Sequence, residues 1–127
     1  MKPSHKTLAA YQKALQLSIK IFKLTQRLPA EEKYSLSDQI KRSSRSVCAN
    51  LGEAYRKRKY IKDCSSKLSI SDSELGETQV WLDICHGCEY INDAEYTALY
   101  ELSEECGRLI GYMLQNPYKF GVLATSR

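Results

Sequence analysis

Apolar residues recur every three or four positions along most of the chain, which is the spacing of one helix face rather than of a strand. The pattern is interrupted at Pro29, at 56–60, at 89–93 and at Pro117. It therefore predicts four helices, over about residues 7–28, 35–57, 60–88 and 93–116, and a tail at 117–127. Helices of this length with short links favour an all-α, antiparallel up-down-up-down four-helix bundle, as a single domain over 1–127.

The first helix is apolar over more of its circumference than a bundle helix needs. One stripe has alternating spacings of four and three and consists of Ala10, Ala14, Leu17, Ile21, Leu24 and Leu28. A second stripe lies about 120° around the helix and consists of Leu8, Tyr11, Leu15, Ile19 and Phe22. Because a bundle helix normally needs about three apolar positions in seven, the second stripe predicts burial against a second chain.

Charge is divided unequally along the sequence. Residues 1–67 contain sixteen Lys and Arg against five Asp and Glu, whereas residues 68–107 contain ten acids and no Lys or Arg. This asymmetry indicates either complementary faces within an assembly or an anionic partner for the first half.

A basic segment in the second helix and the link after it is the main candidate binding site. Four consecutive cations, Arg56 to Lys59, repel one another, and flanking tyrosines offer rings that can stack on unpaired bases. The predicted nucleic-acid-binding residues are Lys41, Arg42, Arg45, Tyr55, Arg56, Lys57, Arg58, Lys59, Tyr60 and Lys62. The alternatives are a solvated surface, or pairing with the acidic half of a neighbouring subunit.

Polar residues also occur on the predicted inner faces of the second and third helices. They are interpreted as an internal hydrogen-bonding pair or network, because buried polar groups need partners, and they are Asn50, Glu53, Glu74, Glu77 and Thr78. Contact with a ligand or a subunit is the alternative. Di-iron bundles use Glu-x-x-His motifs, and none occurs in this sequence, so no metal site is predicted.

Cys85 and Cys88 flank His86 in a Cys-x-x-Cys arrangement near the predicted end of the third helix. Redox pairs of this kind need a helix N-terminus, where the dipole lowers the thiol pKa, and a structural zinc site needs four ligands. Because Cys85 continues the core stripe of its helix, we expect a structural role. Five cysteines and no export signal favour reduced thiols.

The sequence contains no arrangement typical of an enzyme. It has two histidines, no Ser/His/Asp set and no glycine-rich phosphate loop, so neither catalysis nor a cofactor is predicted. The N-terminal segment lacks the apolar core of a signal peptide, and no apolar run approaches the ~20 residues of a membrane span. A cytoplasmic location, without membrane association, is expected.

Several segments resemble the four-helix bundle family of 23S rRNA intervening-sequence proteins, which also includes the accessory protein of diversity-generating retroelements. They are YQKALQLSIKIFKLTQRLP at 11–29, SVCANLGEAYRKR at 46–58, SKLSI at 66–70, ETQVWL at 77–82 and YINDAEY at 90–96. The resemblance covers roughly 8–116. It implies a bundle that assembles into a ring, a homopentamer, with no known catalysis. For the retroelement branch it implies nucleic-acid binding and a reverse transcriptase as partner.

The chain departs from the family pattern at the end of the third helix, where Glu89 replaces a usual glycine and Gly87 is the alternative C-terminal residue. Cys48 replaces a usual proline. The combined prediction is a non-enzymatic, homo-oligomeric bundle that binds RNA or DNA through the basic segment. The alternative is a protein-interaction scaffold, for a reverse transcriptase or another acidic partner, without direct nucleic-acid binding.

Overall fold

The structure is a computed structural model that describes residues 3–117. It contains four long helices, α1 (Ala9–Thr25), α2 (Leu36–Arg56), α3 (Ile61–Gly87) and α4 (Asp93–Gln115), with short 3-10 turns at His5–Thr7 and Ala30–Glu32. No strand occurs within the described range. The all-α prediction is therefore confirmed. Of the predicted tail, residues 118–127 lie outside the described residues.

The first helix is shorter than its apolar pattern predicts. The chain before it forms a 3-10 turn, where the Ser4 side chain accepts a hydrogen bond from the Lys6 backbone N–H. At the other end the Thr25 hydroxyl donates to the Phe22 carbonyl at 2.7 Å. The chain then turns towards Pro29, which disfavours helical geometry in the residue before it.

The four helices occupy the corners of a square. α1 contacts α2 and α4, α3 contacts the same two helices, and no contact joins either diagonal pair in the described part of the chain. Hydrogen bonds from Ser71 to the Val47 carbonyl and from Thr78 to Ser43 show that α2 and α3 are antiparallel. α4 is likewise antiparallel to α1, since Lys13 of α1 pairs with Glu105 and Arg27, just after α1, pairs with Glu95.

The core lies where the inner stripes of the four helices meet. Its largest fully buried side chains are Leu17, Ile21, Ile40, Val47, Leu51, Leu68, Leu82 and Ile110. Burying each of these contributes roughly 1.5–3 kcal/mol relative to leaving it exposed. The α2–α3 contact also contains small polar residues at 0% exposure, Ser43, Ser71 and Thr78, which let these two helices approach closely.

The third helix ends in a left-handed turn at Glu89, whose φ is 61°. The Glu89 N–H donates to the His86 carbonyl at 3.0 Å, and the Tyr90 N–H donates to the Cys85 carbonyl at 2.9 Å. These two bonds form a Schellman motif, in which glycine is the usual left-handed residue. The left-handed position is therefore Glu89, and Gly87 is the last residue of the helix itself.

The fourth helix begins with a capping box. The Asn92 side chain accepts from the Glu95 N–H at 2.8 Å, and the Glu95 carboxylate accepts from the Asn92 N–H at 3.1 Å. The preceding Ile91 is 4% exposed. No helix within residues 3–117 is long and apolar enough to cross a membrane.

Candidate nucleic-acid interface

A cluster of cations lies at the end of the bundle where α2 gives way to α3. We call it the basic tip, and its members are Arg56, Lys57, Arg58, Lys59 and Lys62. The helix ends here because the Lys57 N–H closes the last turn onto the Ala54 carbonyl, and the Tyr60 N–H then donates to the Lys57 carbonyl at 2.8 Å. Cations at a helix C-terminus are stabilised by the negative end of its dipole.

The basic tip has no acidic partner among the residues that the structure describes. Its members are exposed except for the half-buried Arg58, and the sequence contains no Asp or Glu from 54 to 62. The nearest ion pair along the chain joins Lys67 to Glu53, at 3.4 Å. The positive charge of the basic tip is therefore directed at solvent, where it can attract an anion.

The two tyrosines beside the basic tip differ in their surroundings. The Arg58 guanidinium lies 4.0 Å from the centre of the Tyr55 ring and donates to the Tyr55 carbonyl at 3.0 Å. Tyr60 is 62% exposed. Of the two rings, Tyr60 therefore offers more of its surface for stacking on a base.

Arg42, a predicted binding residue, instead joins α2 to α3. Its guanidinium lies 3.1 Å from a Glu74 carboxylate oxygen and also bonds Glu77. These two carboxylates raise the pKa of Arg42. The pKa of Glu77 is lowered, first by a hydrogen bond from the Trp81 indole N–H and then by Arg42. The Arg42 charge is thus matched within the chain.

The other two mid-helix cations stand apart from the basic tip. Arg45 lies over the Phe22 ring of α1, with 5.9 Å between its guanidinium carbon and the ring centre. Lys41 is half-buried. At the 1.5 Å rise of a helix, Arg45 and Arg56 are about 16 Å apart along α2. The structure therefore divides the predicted site into two separate groups.

Asn50 and Glu53, expected as an internal pair, bond to different partners. The Asn50 side-chain amide donates to the Ser46 carbonyl at 2.9 Å and to the Ser46 hydroxyl at 3.1 Å. Glu53 pairs with Lys67 across the α2–α3 contact. Their spacing of three residues on one helix face did not bring these two side chains together.

Thr78 lies at the centre of the α2–α3 contact. Its hydroxyl donates to the Ser43 hydroxyl at 2.8 Å and lies 2.9 Å from the Glu74 carbonyl, while Ser43 reaches the Ile40 carbonyl at 3.4 Å. No buried side-chain nitrogen or oxygen of residues 3–117 lacks a hydrogen-bond partner. These groups therefore fix the register of α2 against α3.

The cysteine pair at the end of α3 is divided between core and surface. Cys85 is fully buried, burial raises its pKa to about 11, and Cys88 is exposed. The ring of His86 stacks on Tyr96 at 4.3 Å, and its Nε2 lies 2.7 Å from an Asp93 carboxylate oxygen. No group of three or more potential metal ligands comes together in the described structure.

One cation at this end of the bundle was not predicted. The exposed Lys6 belongs to the turn His5–Thr7, which contacts α2, and antiparallel packing brings the start of α1 to the end of α2. Lys6 and the basic tip are fifty residues apart in the sequence, so only the topology relates them.

Comparisons with known proteins agree with the fold. The profile of the 23S rRNA-intervening sequence protein family matches residues 6–112. A crystal structure of a protein with unknown function from the S23 ribosomal protein family of Bacteroides thetaiotaomicron VPI-5482 is similar, with a TM-score of 0.76 and 31% identity over 84% of this chain and 95% of that one. No curated protein matches. The resemblance noted in the sequence is confirmed, and the chain belongs to the family of 23S rRNA-intervening sequence proteins.

Proposed function

We propose that this protein is a non-enzymatic, homo-oligomeric helical bundle of the cytoplasm that binds RNA or DNA through the basic tip. The observation that carries the proposal is the concentration of five cations at one end of the bundle, with no acidic partner in the described part of the chain. The exposed Tyr60 beside them supports a nucleic acid over a simple polyanion.

Binding would operate by phosphate neutralisation. Each Lys or Arg that meets a phosphate releases condensed counterions, so affinity falls with salt by a log–log slope of about 0.7 per phosphate on single strands. Stacking of a base on Tyr60 would add roughly 1–3 kcal/mol with little sequence preference. The proposed site therefore recognises an unpaired, flexible strand rather than a particular sequence.

The proposed site is narrower than the sequence prediction. Arg42 is left out because Glu74 and Glu77 already match its charge. Arg45 and Lys41 are left out because they stand about three and about four helical turns from the basic tip. Tyr55 contributes to the site indirectly, because its ring packs against the Arg58 guanidinium and positions that cation.

Oligomerisation would multiply this weak attraction. A ring presents the same patch once per subunit, and linked sites bind a long strand with higher avidity than one site alone. The family resemblance implies five copies. The exposed aliphatic and aromatic side chains of α1, Leu15, Ile19 and Phe22, support association.

The experiment is a salt titration of binding to labelled single-stranded RNA and DNA. For each basic tip that contacts the strand, Lys57→Gln with Lys59→Gln should lower the magnitude of the log–log salt slope by about 1.4. Replacing Arg56 and Arg58 as well should lower it by about 2.8. The matched control replaces two exposed cations away from the basic tip, Lys20→Gln and Lys33→Gln, and should leave the slope unchanged. Absence of binding at low salt, or equal slopes in all variants, contradicts the proposal.

A protein scaffold is the second candidate, supported by the mixed apolar and basic surface formed by Phe22 and Arg45. Such a surface fits an acidic protein, and by family resemblance a reverse transcriptase would be one. Purification from native lysate with and without nuclease separates the two functions. Partners that survive nuclease treatment favour the scaffold, and loss of all partners favours nucleic acid.

A further inference from the structure

A small cleft lies where the chain passes from α1 to α2, at the end of α2 away from the basic tip. Its volume is about 230 Å³, and the residues that line it include Thr25, Lys33, Ser37 and Lys41. Pockets that hold drug-sized ligands have volumes of about 300–1,000 Å³. The cleft therefore suits a smaller ligand.

Ser37 supplies a nearly enclosed hydroxyl to this cleft. The residue is 5% exposed, and its hydroxyl forms no hydrogen bond with another residue of the described chain. The Thr25 hydroxyl, by contrast, donates to the Phe22 carbonyl at 2.7 Å. Because every fully buried side-chain oxygen of residues 3–117 has a partner, the unpaired Ser37 hydroxyl must open to the cleft that the residue lines. An enclosed polar group of this kind is expected to meet a partner from outside the chain.

The cleft also lies at the N-terminus of α2, which no side chain caps. The Ser35 hydroxyl, at the capping position, instead donates to a Glu32 carboxylate oxygen at 2.7 Å. The N–H groups of Ser37 and Asp38 belong to the first turn and have no acceptor inside the helix, nor a backbone acceptor elsewhere in residues 3–117. Free N–H groups and the positive end of the helix dipole together attract anions.

Two lysines add positive charge to the cleft. Lys33, Ser37 and Lys41 follow one another at intervals of four residues, and this spacing places Ser37 and Lys41 on one face of α2. Neither lysine forms an ion pair within the described chain, and no Asp or Glu of that part of the chain lines the cleft. The neighbouring Asp38 lines a different groove, beside Arg42. The cleft is therefore positively charged.

We propose that this cleft binds phosphate, either as the free ion or as the terminal group of a small phosphomonoester. The Ser37 hydroxyl and the free N–H groups of the first turn donate hydrogen bonds to the phosphate oxygens, and Lys33 and Lys41 balance their charge. Ser37 and Arg56 are about 30 Å apart along α2. The site is therefore separate from the basic tip, and the inference does not depend on the proposed nucleic-acid binding.

Isothermal titration calorimetry with inorganic phosphate and with glycerol 3-phosphate tests the inference. Wild type should bind both, and tighter binding of the ester would identify a phosphomonoester as the ligand. Ser37→Ala should weaken binding by about tenfold or more, because it removes a hydrogen bond to a charged group. Lys33→Gln and Lys41→Gln should each weaken it by up to about fivefold. The matched controls, Ser69→Ala and Lys20→Gln, change exposed residues outside the cleft and should leave the dissociation constant unchanged.

The backbone amide resonances of wild-type protein labelled with 15N locate the ligand, so the test holds even if a variant fails to fold. Those of Ser37 and Asp38 should shift more on addition of phosphate than those of residues 55–62. Absence of binding by both probes at low salt, equal affinity of Ser37→Ala and wild type, or shifts centred on 55–62 would overturn the inference.

The same variants separate this inference from nucleic-acid binding. Lys33→Gln should weaken phosphate binding and leave the salt slope for single-stranded RNA unchanged. Phosphate binding at Ser37 without any binding of RNA or DNA would contradict the proposed function alone. RNA binding through the basic tip without phosphate binding at Ser37 would contradict this inference alone.

Discussion

The end of α3 carries a residue that its backbone geometry disfavours. Glu89 adopts φ of 61°, and its side chain is exposed with no ion pair or side-chain hydrogen bond to a residue of the described chain. Glu89→Gly would therefore remove a conformational cost without removing a contact. We predict that this substitution stabilises the protein.

The expected gain is the balance of three effects. A left-handed backbone costs a non-glycine residue roughly 1–2 kcal/mol. A carboxylate at a helix C-terminus opposes the dipole and costs about 0.3–1 kcal/mol at the surface. Glycine offsets about 0.5–1 kcal/mol of this gain, because it increases the conformational entropy of the unfolded chain. The free energy of unfolding should rise by about 1 kcal/mol.

The assay is urea unfolding followed by circular dichroism, at one fixed protein concentration because association also stabilises the folded state. The midpoint should rise with no change in the m-value, and the melting temperature should rise by roughly 3–6 °C. Glu89→Ala is the control for charge, since it removes the carboxylate and keeps the left-handed backbone. It should recover only the dipole part of the gain, about 0.3–1 kcal/mol, and less than Glu89→Gly does.

The result that would refute this reasoning comes from the neighbouring glycine. Gly87 is helical, and a Cβ added there would meet nothing within 4 Å, so Gly87→Ala should stabilise by about 0.5–1 kcal/mol. If Gly87→Ala destabilises while Glu89→Gly has no effect, then the left-handed residue is Gly87. The Schellman motif centred on Glu89 would then be wrong.

Three further predictions concern the polar contacts and the thiols. Thr78→Val removes the bond to Ser43 and should cost about 1–2 kcal/mol in urea unfolding; no loss would show that this contact does not fix the α2–α3 register. The pKa of Glu77 is lowered in the folded state, so its stabilising effect is present above the unfolded pKa of about 4.3 and is lost as pH falls through the folded pKa. In Glu77→Gln the free energy of unfolding should therefore fall less steeply below about pH 4.5. An unchanged loss of stability in acid would contradict the pairing of Glu77 with Arg42. Cys88 should be alkylated first in the native protein, as seen by mass spectrometry, because it is exposed whereas burial raises the pKa of Cys106 to about 12; equal labelling of all cysteines would contradict the fold.

The fold could be predicted because helix periodicity determines which residues share a face. Heptad spacing predicts a core stripe on α3, and the structure buries every one of its residues from Cys64 onwards: Cys64, Leu68, Ser71, Leu75, Thr78, Leu82 and Cys85. The first stripe of α1 is buried as well, and part of its second stripe is exposed, as expected of a helix with more apolar surface than one bundle can cover. These outcomes depend on the local spacing of residues along one helix.

The details of the site could not be predicted because they depend on how one helix lies against another. From the sequence alone, Glu74 and Glu77 could meet Arg42, Arg45 or Asn50 across the bundle, and only the register of α2 against α3 selects Arg42. The turn after α3 is similar, since the burial of Ile91 and the bond from the Tyr90 N–H place the left-handed residue at 89. Glycine preference alone points to 87.

The most direct test of the central claim is photocrosslinking of the protein to a single-stranded RNA that contains 4-thiouridine, followed by peptide mass spectrometry. If the basic tip is the nucleic-acid site, crosslinks should fall on the peptide segment 55–62, with Tyr60 the most heavily modified residue, and should disappear when Arg56 to Lys59 are replaced by Gln. Crosslinks confined to α1 or α4, or no crosslinks under conditions where a known RNA-binding protein reacts, would contradict it.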